Sequence, residues 1–338
     1  MPDLRLTIAM PTKDRPERLF RCLAALAGQT VDKSAFEVLV GVDGPDSGEA
    51  AGAPAAAPGV GVRVLPGAHA GPGATRNRLL SNARAPLTLW LNDDVVPEPD
   101  LVERHLAAQA EIEHHGRGPA MVLGAAPWVV REPDRLFDRL IRETSMVFFY
   151  DRMRGPDADN PWHDWGSRHA WTLNLSVPTD AARDAGGFCT ALPAAAYEDL
   201  EWAWRVSRDT GAHVLFRPDA VVHHDHRYEP DGYLERELAM GRDAWALAGA
   251  SPGCALELFG RDVRSAESLA YARAFVEREA SLAQRLEDSF RALADIPSDA
   301  VTDPRLLTML YEHHLTLKRW HWNAGLLRAA AGEGAQAA

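Results

Sequence analysis

Leu6 to Met10 is an unbroken apolar run of strand length, and beyond Asp14-Arg15-Pro16 the pattern changes to helical spacing, with Leu19, Leu23 and Leu26 recurring on one side. A second apolar run, Val38 to Val42, stops at Asp43-Gly44-Pro45, where turn-forming residues take over. Residues 44–61, rich in Gly, Ala and Pro, are expected to form a mobile loop before a third strand at Val62 to Leu65. Residues 71–83 read as a loop entering a helix, and Leu87 to Leu91, the fourth strand, runs straight into Asn92-Asp93-Asp94. Strands alternating with helices predict an α/β fold whose mainly parallel sheet is flanked by helices, and such sheets take ligands beyond the carboxyl ends of their strands. Asp43 and Asp94 both stand at such ends.

The middle of the chain, about Trp128 to Val177, has no regular period and carries Trp128, Trp162, Trp165 and Trp171 among charged residues. From about Leu234 the pattern is helical, with Leu269, Ala272, Val276, Ala280 and Ala283 placed on one side of a helix. The expected division is a catalytic domain over residues 1–235, a helical extension over 236–328 and a disordered tail, AAAGEGAQAA, over 329–338. Lys and Arg number 36 against 48 Asp and Glu, and the resulting charge of −12 opposes attraction to nucleic acid or an anionic membrane. A phosphate-bearing ligand therefore needs local positive charge. Cys22, Cys189 and Cys254 lie far apart without metal-site spacing, the first apolar run is too short for a signal peptide, and no segment approaches the roughly 20 apolar residues of a membrane span. A cytoplasmic enzyme with reduced thiols is the expectation.

Three clusters carry chemistry. Asn92-Asp93-Asp94 places adjacent carboxylates at a strand end, where their mutual repulsion calls for a cation such as Mg²⁺ or Mn²⁺, unless the segment is simply a solvated acidic turn before Pro97. In Tyr197 to Arg205, Asp199 falls in a first helical turn, where the macrodipole favours the ionised form that a general base needs. The alternative there is structural: Glu198 and Asp199 cap the helix while Glu201 pairs with Arg205. In Val221 to His226, alternation puts His224 and His226 on one face and His223 on the other, so the three histidines do not converge, and one or two remain available to a metal.

Taken in order, TIAMPTKDRPERLFRCLAAL, FEVLVGVDG, GPGATRNRLLSNARAPLTLWLNDDVVPEPDLVERHL, NLSVPTDAARDAGGF, YEDLEWAWRV and PDAVVHH resemble the family 2 glycosyltransferases, whose core is the GT-A type fold. The resemblance runs from about Leu6 to about Arg242. It implies that Pro11 and Thr12 line a nucleotide-base pocket, that Asp43 hydrogen-bonds the base, and that Arg76 and Asn77 lie near the base or phosphates. LNDD looks like the family's DXD motif, with Asn92 at its first position, Asp93 near the donor ribose or sugar, and Asp94 binding a divalent cation together with His224. Asp199 takes the place of the family's catalytic base, with Glu198 supporting it or touching the acceptor, while Lys13 stands where many relatives carry an aromatic residue against the base. The implied enzyme moves a sugar from a nucleotide-diphosphate donor to a saccharide, lipid, peptide or small metabolite by metal-assisted inverting displacement. Retaining transfer, sugar nucleotidyl transfer and donor binding without catalysis are the competing readings.

Overall fold

The structure, a computed structural model, describes residues 4–45, 48, 50–192 and 196–336. It divides into two compact units, residues 1–129 with 154–226, and residues 130–153 with 227–338. In chain order the first unit contains β1 (Leu6–Thr12), α1 (Pro16–Ala27), β2 (Phe36–Val42), α2 (Ala53–Ala56), β3 (Gly61–Leu65), α3 (Gly71–Asn82), β4 (Leu87–Leu91), β5 (Val95–Pro97), α4 (Leu101–His114) and β6 (Ala120–Ala125). Then come α5 (Leu136–Glu143), which lies in the second unit, and β7 (Asn174–Pro178), α6 (Thr179–Asp184), α7 (Glu198–Thr210) and β8 (His213–His224), which return to the first.

Among the described residues, the strands form one eight-stranded sheet in the order β3-β2-β1-β4-β7-β6-β8-β5. The expected parallel pairing holds from β3 to β4 and between β6 and β8, but β7 runs antiparallel to both β4 and β6, and β5 antiparallel to β8. The sheet is therefore mixed. Its first strands read as solid apolar runs because both faces are covered: Ile8 and Val38 on one face and Ala9 and Leu39 on the other have no exposed surface. Part of the expected loop 44–61 is ordered as α2; its residues 46, 47 and 49 lie outside the described residues.

Two devices fix the elements that carry the site. Trp90 of β4 meets Phe188 and Trp202 edge-on, with ring centroids 5.1 and 5.9 Å away, and Phe188 stacks on Trp202 at 4.6 Å, which docks α7 against β4. His105 of α4, fully buried, lies 2.9 Å from both Ser176 Oγ and Asn174 Oδ1 of β7, and burial lowers its pKa to about 4, so the ring serves as a neutral hydrogen-bonding link.

The second unit adds α8 (Pro230–Ala250), α9 (Pro252–Phe259), α10 (Ala266–Ala292) and α11 (Pro304–Gln336) to α5. The segment 130–153, expected in the catalytic domain, joins this unit because α5 is amphipathic: Leu136, Phe137, Leu140 and Ile141 are buried. Phe137 meets Phe290 at 5.1 Å and Tyr233 at 6.3 Å, and the backbone N–H groups of Leu136 and Phe137 donate to Ile296 and Leu293. The boundary accordingly falls after His226 rather than after residue 235. On α10 the buried positions are Ser268, Ala272, Phe275, Ala283 and Phe290, so the stripe drifts with the 3.6-residue repeat and leaves Ala280 exposed. Residues 329–336, expected in a disordered tail, continue α11, and 337–338 lie outside the described residues. Among the described residues, no helix is long and apolar enough to cross a membrane.

Candidate active site

Parallel pairing of β1 with β2 and β4 brings their carboxyl ends to one edge of the sheet. The Asp43 N–H donates to the Thr12 carbonyl at 3.0 Å, and Thr12 Oγ1 donates to Asp93 Oδ2 at 2.7 Å, so residues from three strand ends meet. Pro11 immediately precedes Thr12 on β1. Asp43 Oδ1 accepts from the N–H groups of Ala70 and Gly71 and from Thr75 Oγ1, which anchors the start of α3. Lys13 is exposed, and the Asn92 carbonyl faces Cys22 Sγ.

Asp93 and Asp94 are 4% and 6% exposed, so their charges need partners. Burial, then the neighbouring Asp94 charge, raises the Asp93 pKa to about 6. Burial also pushes Asp94 upward, but His224, Arg15 and His226 together outweigh it and hold that carboxyl at about 2. Antiparallel pairing of Val95 with His224 explains the proximity: His224 Nε2 stands 3.7 Å from Asp94 Oδ1 and His226 Nδ1 stands 3.8 Å from Asp94 Oδ2. At 3.7 Å the His224 contact is electrostatic, and Asp94 Oδ1 is buried without a hydrogen-bond donor in range. The Trp128 ring covers His224 at 4.2 Å. His223 turns to the opposite face, with Nε2 2.6 Å from Glu98 Oε1, as strand alternation requires.

Asp199 reaches the same edge by a different route. Asn174 of β7 is registered with Leu91 of β4, and the chain just before Asn174 supplies the Thr172 N–H that stabilises the Asp199 carboxylate. The Leu200 N–H donates to Asp199 Oδ1 at 2.8 Å. Burial and then the adjacent Glu198 charge nevertheless raise Asp199 to about 7, against the opposing pull of Arg76 and these amides. The macrodipole's pull toward the ionised form is thus outweighed by desolvation. Glu198 is 2% exposed and accepts from Arg76 Nη1 at 2.6 Å and from the Ala196 N–H at 2.8 Å.

Arg76 and Asn77, expected near the base or phosphates, are both held by internal partners. Arg76 closes the ion pair with Glu198, while Asn77 bonds the Phe188 backbone twice, donating to its carbonyl at 2.9 Å and accepting from its N–H at 2.6 Å. Sequence reasoning also missed the basic row that starts at Arg15, the N-cap of α1, and continues along that helix. Arg15 Nη1 lies 3.5 Å from Asp93 Oδ1 and 3.3 Å from Asp94 Oδ2, Arg18 Nη1 lies 3.6 Å from Asp94 Oδ2, and Arg21 pairs with Asp225. The signal was available, because Arg15, Arg18 and Arg21 recur every third residue, away from the buried Leu19, Leu23 and Leu26.

Residues 7–172 match the model of the family described as Glycosyl transferase family 2. Curated relatives from two strains of Mycobacterium tuberculosis, each named Pre-mycofactocin glycosyltransferase, are 27% identical over 263 residues, which is 73% of this chain and 48% of theirs. The chain spans about half the length of the curated relatives it matches. Among solved structures, Mannosyltransferase PcManGT from Pyrobaculum calidifontis, in complex with GDP-Man and Mn²⁺, superposes with a TM-score of 0.59 at 16% identity, covering 98% of this chain and 87% of that chain. The shared fold is of the GT-A type. With its ordered motifs and strand-end site, the chain is similar to the family 2 glycosyltransferases over residues 7–172.

Proposed function

We propose that this glycosyltransferase moves a sugar from a nucleoside diphosphate donor to an acceptor hydroxyl with inversion at the anomeric carbon. The observation that supports the reading is the meeting of Thr12, Asp43 and Asp93, with Asp94 beside them, at one sheet edge, while Asp199 of α7 is bonded to the chain that leads into β7, the neighbour of β4. Pro11 and Thr12 line the base pocket, and Asp43, with Oδ1 committed to α3, offers its other oxygen to a base N–H. Asn92 and Asp93 lie against the donor's ribose and sugar. Asp199 accepts the acceptor proton as the acceptor oxygen bonds to the anomeric carbon and the bond to the diphosphate breaks, so the nucleoside diphosphate leaves with the bonding electrons. A pKa of about 7 suits a base that must be free at neutral pH yet bind a proton in the transition state.

Asp94 and His224 fit a divalent cation. The orphaned Asp94 Oδ1 faces a ring nitrogen at 3.7 Å, a gap that a small closure brings to the spacing of two ligands on one Mn²⁺ or Mg²⁺. Among the described residues, no group of three or more His, Cys, Asp and Glu could hold a metal, which suits an ion that takes its remaining ligands from phosphate oxygens and water. When bound, that ion would neutralise charge on the departing diphosphate. The mannosyltransferase of similar fold was solved with a nucleotide sugar and Mn²⁺, which agrees with this reading.

A thermal-shift screen of UDP-, GDP- and dTDP-sugars with and without Mn²⁺ identifies the donor, because a ligand of the native state raises the melting temperature. With that donor, Asp199→Asn is expected to keep donor affinity while turnover falls by about 10² to 10⁴. Full turnover in the variant removes Asp199 as the base, and an unchanged anomeric configuration in the wild-type product, read by NMR, removes inversion.

A further inference from the structure

The cationic row on α1 is arranged unlike an ordinary surface salt bridge. Asp93 and Asp94 are buried, whereas the side chains of Arg15 and Arg18 remain 47% and 33% exposed, so the counter-charges approach from the solvent side. Arg18 Nη1 also lies 3.1 Å from His226 Nδ1, beside the same carboxylate. Both guanidinium groups engage Asp94 through Oδ2, while Oδ1, which faces His224, is left without a donor. Half-exposed ion pairs are weak and easily exchanged, whereas a buried carboxylate pair without any counter-charge is costly.

We infer that Arg15 and Arg18 are exchangeable counter-ions: they neutralise Asp93 and Asp94 in the ion-free protein, yield when a divalent cation takes Asp94 and His224, and then bind the donor's diphosphate. This rests on the cation reading of Asp94 and His224 given above. An entering dication repels both guanidinium groups at the short distances involved, and the same dication takes over their neutralising role. The freed groups present planar donor forks, which match phosphate oxygens better than they match a filled ion site. The acidic chain thereby gains local positive charge for a phosphate ligand, which its overall balance of −12 does not provide.

The test uses the full chain as wild type, Arg15→Gln, Arg18→Gln and the double variant, each checked for folding by its thermal melt. Mn²⁺ binding without nucleotide is followed by the paramagnetic resonance signal of free Mn²⁺, and UDP and GDP binding at saturating Mn²⁺ by calorimetry. Loss of the competing cations is expected to tighten Mn²⁺ binding about tenfold in the double variant, and to weaken binding of the preferred diphosphate by about tenfold or more. Asp94→Asn should abolish the Mn²⁺ gain. Mn²⁺ affinity that stays level or falls in the double variant overturns the inference while leaving the cation site standing, as does diphosphate affinity that stays level. Absence of Mn²⁺ binding in all four proteins removes the cation reading, and the inference with it.

Discussion

Asp199 shows how neighbouring groups decide a role that residue type leaves open. Its position in the first turn of α7 predicts an easily ionised carboxylate, yet burial and the Glu198 charge raise its pKa to about 7. A general base works deprotonated, so kcat/KM is expected to rise with pH through an acid limb near 7. Glu198→Gln removes the like charge but keeps an oxygen for Arg76, so that limb should move to lower pH while folding persists. A pH–rate profile checks this, and a limb that stays or moves up would show that Glu198 does not act on the base. Asn77 and Arg76 illustrate the opposite difficulty. Their place before Asp93 and Asp94 in the chain was readable, but the side-chain direction was not, since their partners Phe188 and Glu198 lie more than a hundred residues away.

At the scale of elements, the legible parts were those in which one local pattern has one physical cause. β1, β2 and β4 announce themselves as apolar runs because both faces are buried, and the acidic residues after them mark the ligand edge. Periodicity is blind to strand direction, so the reversal of β7 was hidden. The stripe of α5 was present in the sequence, but the surrounding tryptophans and charges masked it. Packing of α8 against α11 was hidden for a related reason, since it depends on two glycines far apart in the chain. A Cβ on Gly241 would strike the Trp322 carbonyl, and one on Gly325 would strike the Leu238 carbonyl, both of them rigid backbone atoms. Because neither neighbour can swing aside, Gly241→Ala and Gly325→Ala are each expected to lower stability by about 1–3 kcal/mol despite the better helix propensity of alanine. Urea unfolding measures this, and a neutral or stabilising result at both positions would contradict the close approach of the two helices.

For the whole molecule, the division into units separates chemistry from helical packing. Every residue assigned above to the donor, cation and base lies in the unit formed by 1–129 and 154–226, while the chain leaves that unit at 130–153 and again after 226. A cut after His226 therefore does more than remove a helical extension. It strips α5 of its partners Tyr233, Phe290, Leu293 and Ile296, exposing Leu136, Phe137, Leu140 and Ile141, which are at most 5% exposed in the intact chain. Each such side chain is worth roughly 1.5–3 kcal/mol when buried, and four adjacent ones on one helix face make a patch that associates in water. A chain ending at His226 is thus expected to aggregate and to bind a hydrophobic dye. The same truncation with those four residues changed to Gln or Ser should elute as a single species on size exclusion and keep its thermal response to the donor nucleotide, because nothing in the nucleotide site is lost. If the unmodified truncation stays monodisperse and dye-free, α5 does not depend on the C-terminal helices and the proposed boundary falls.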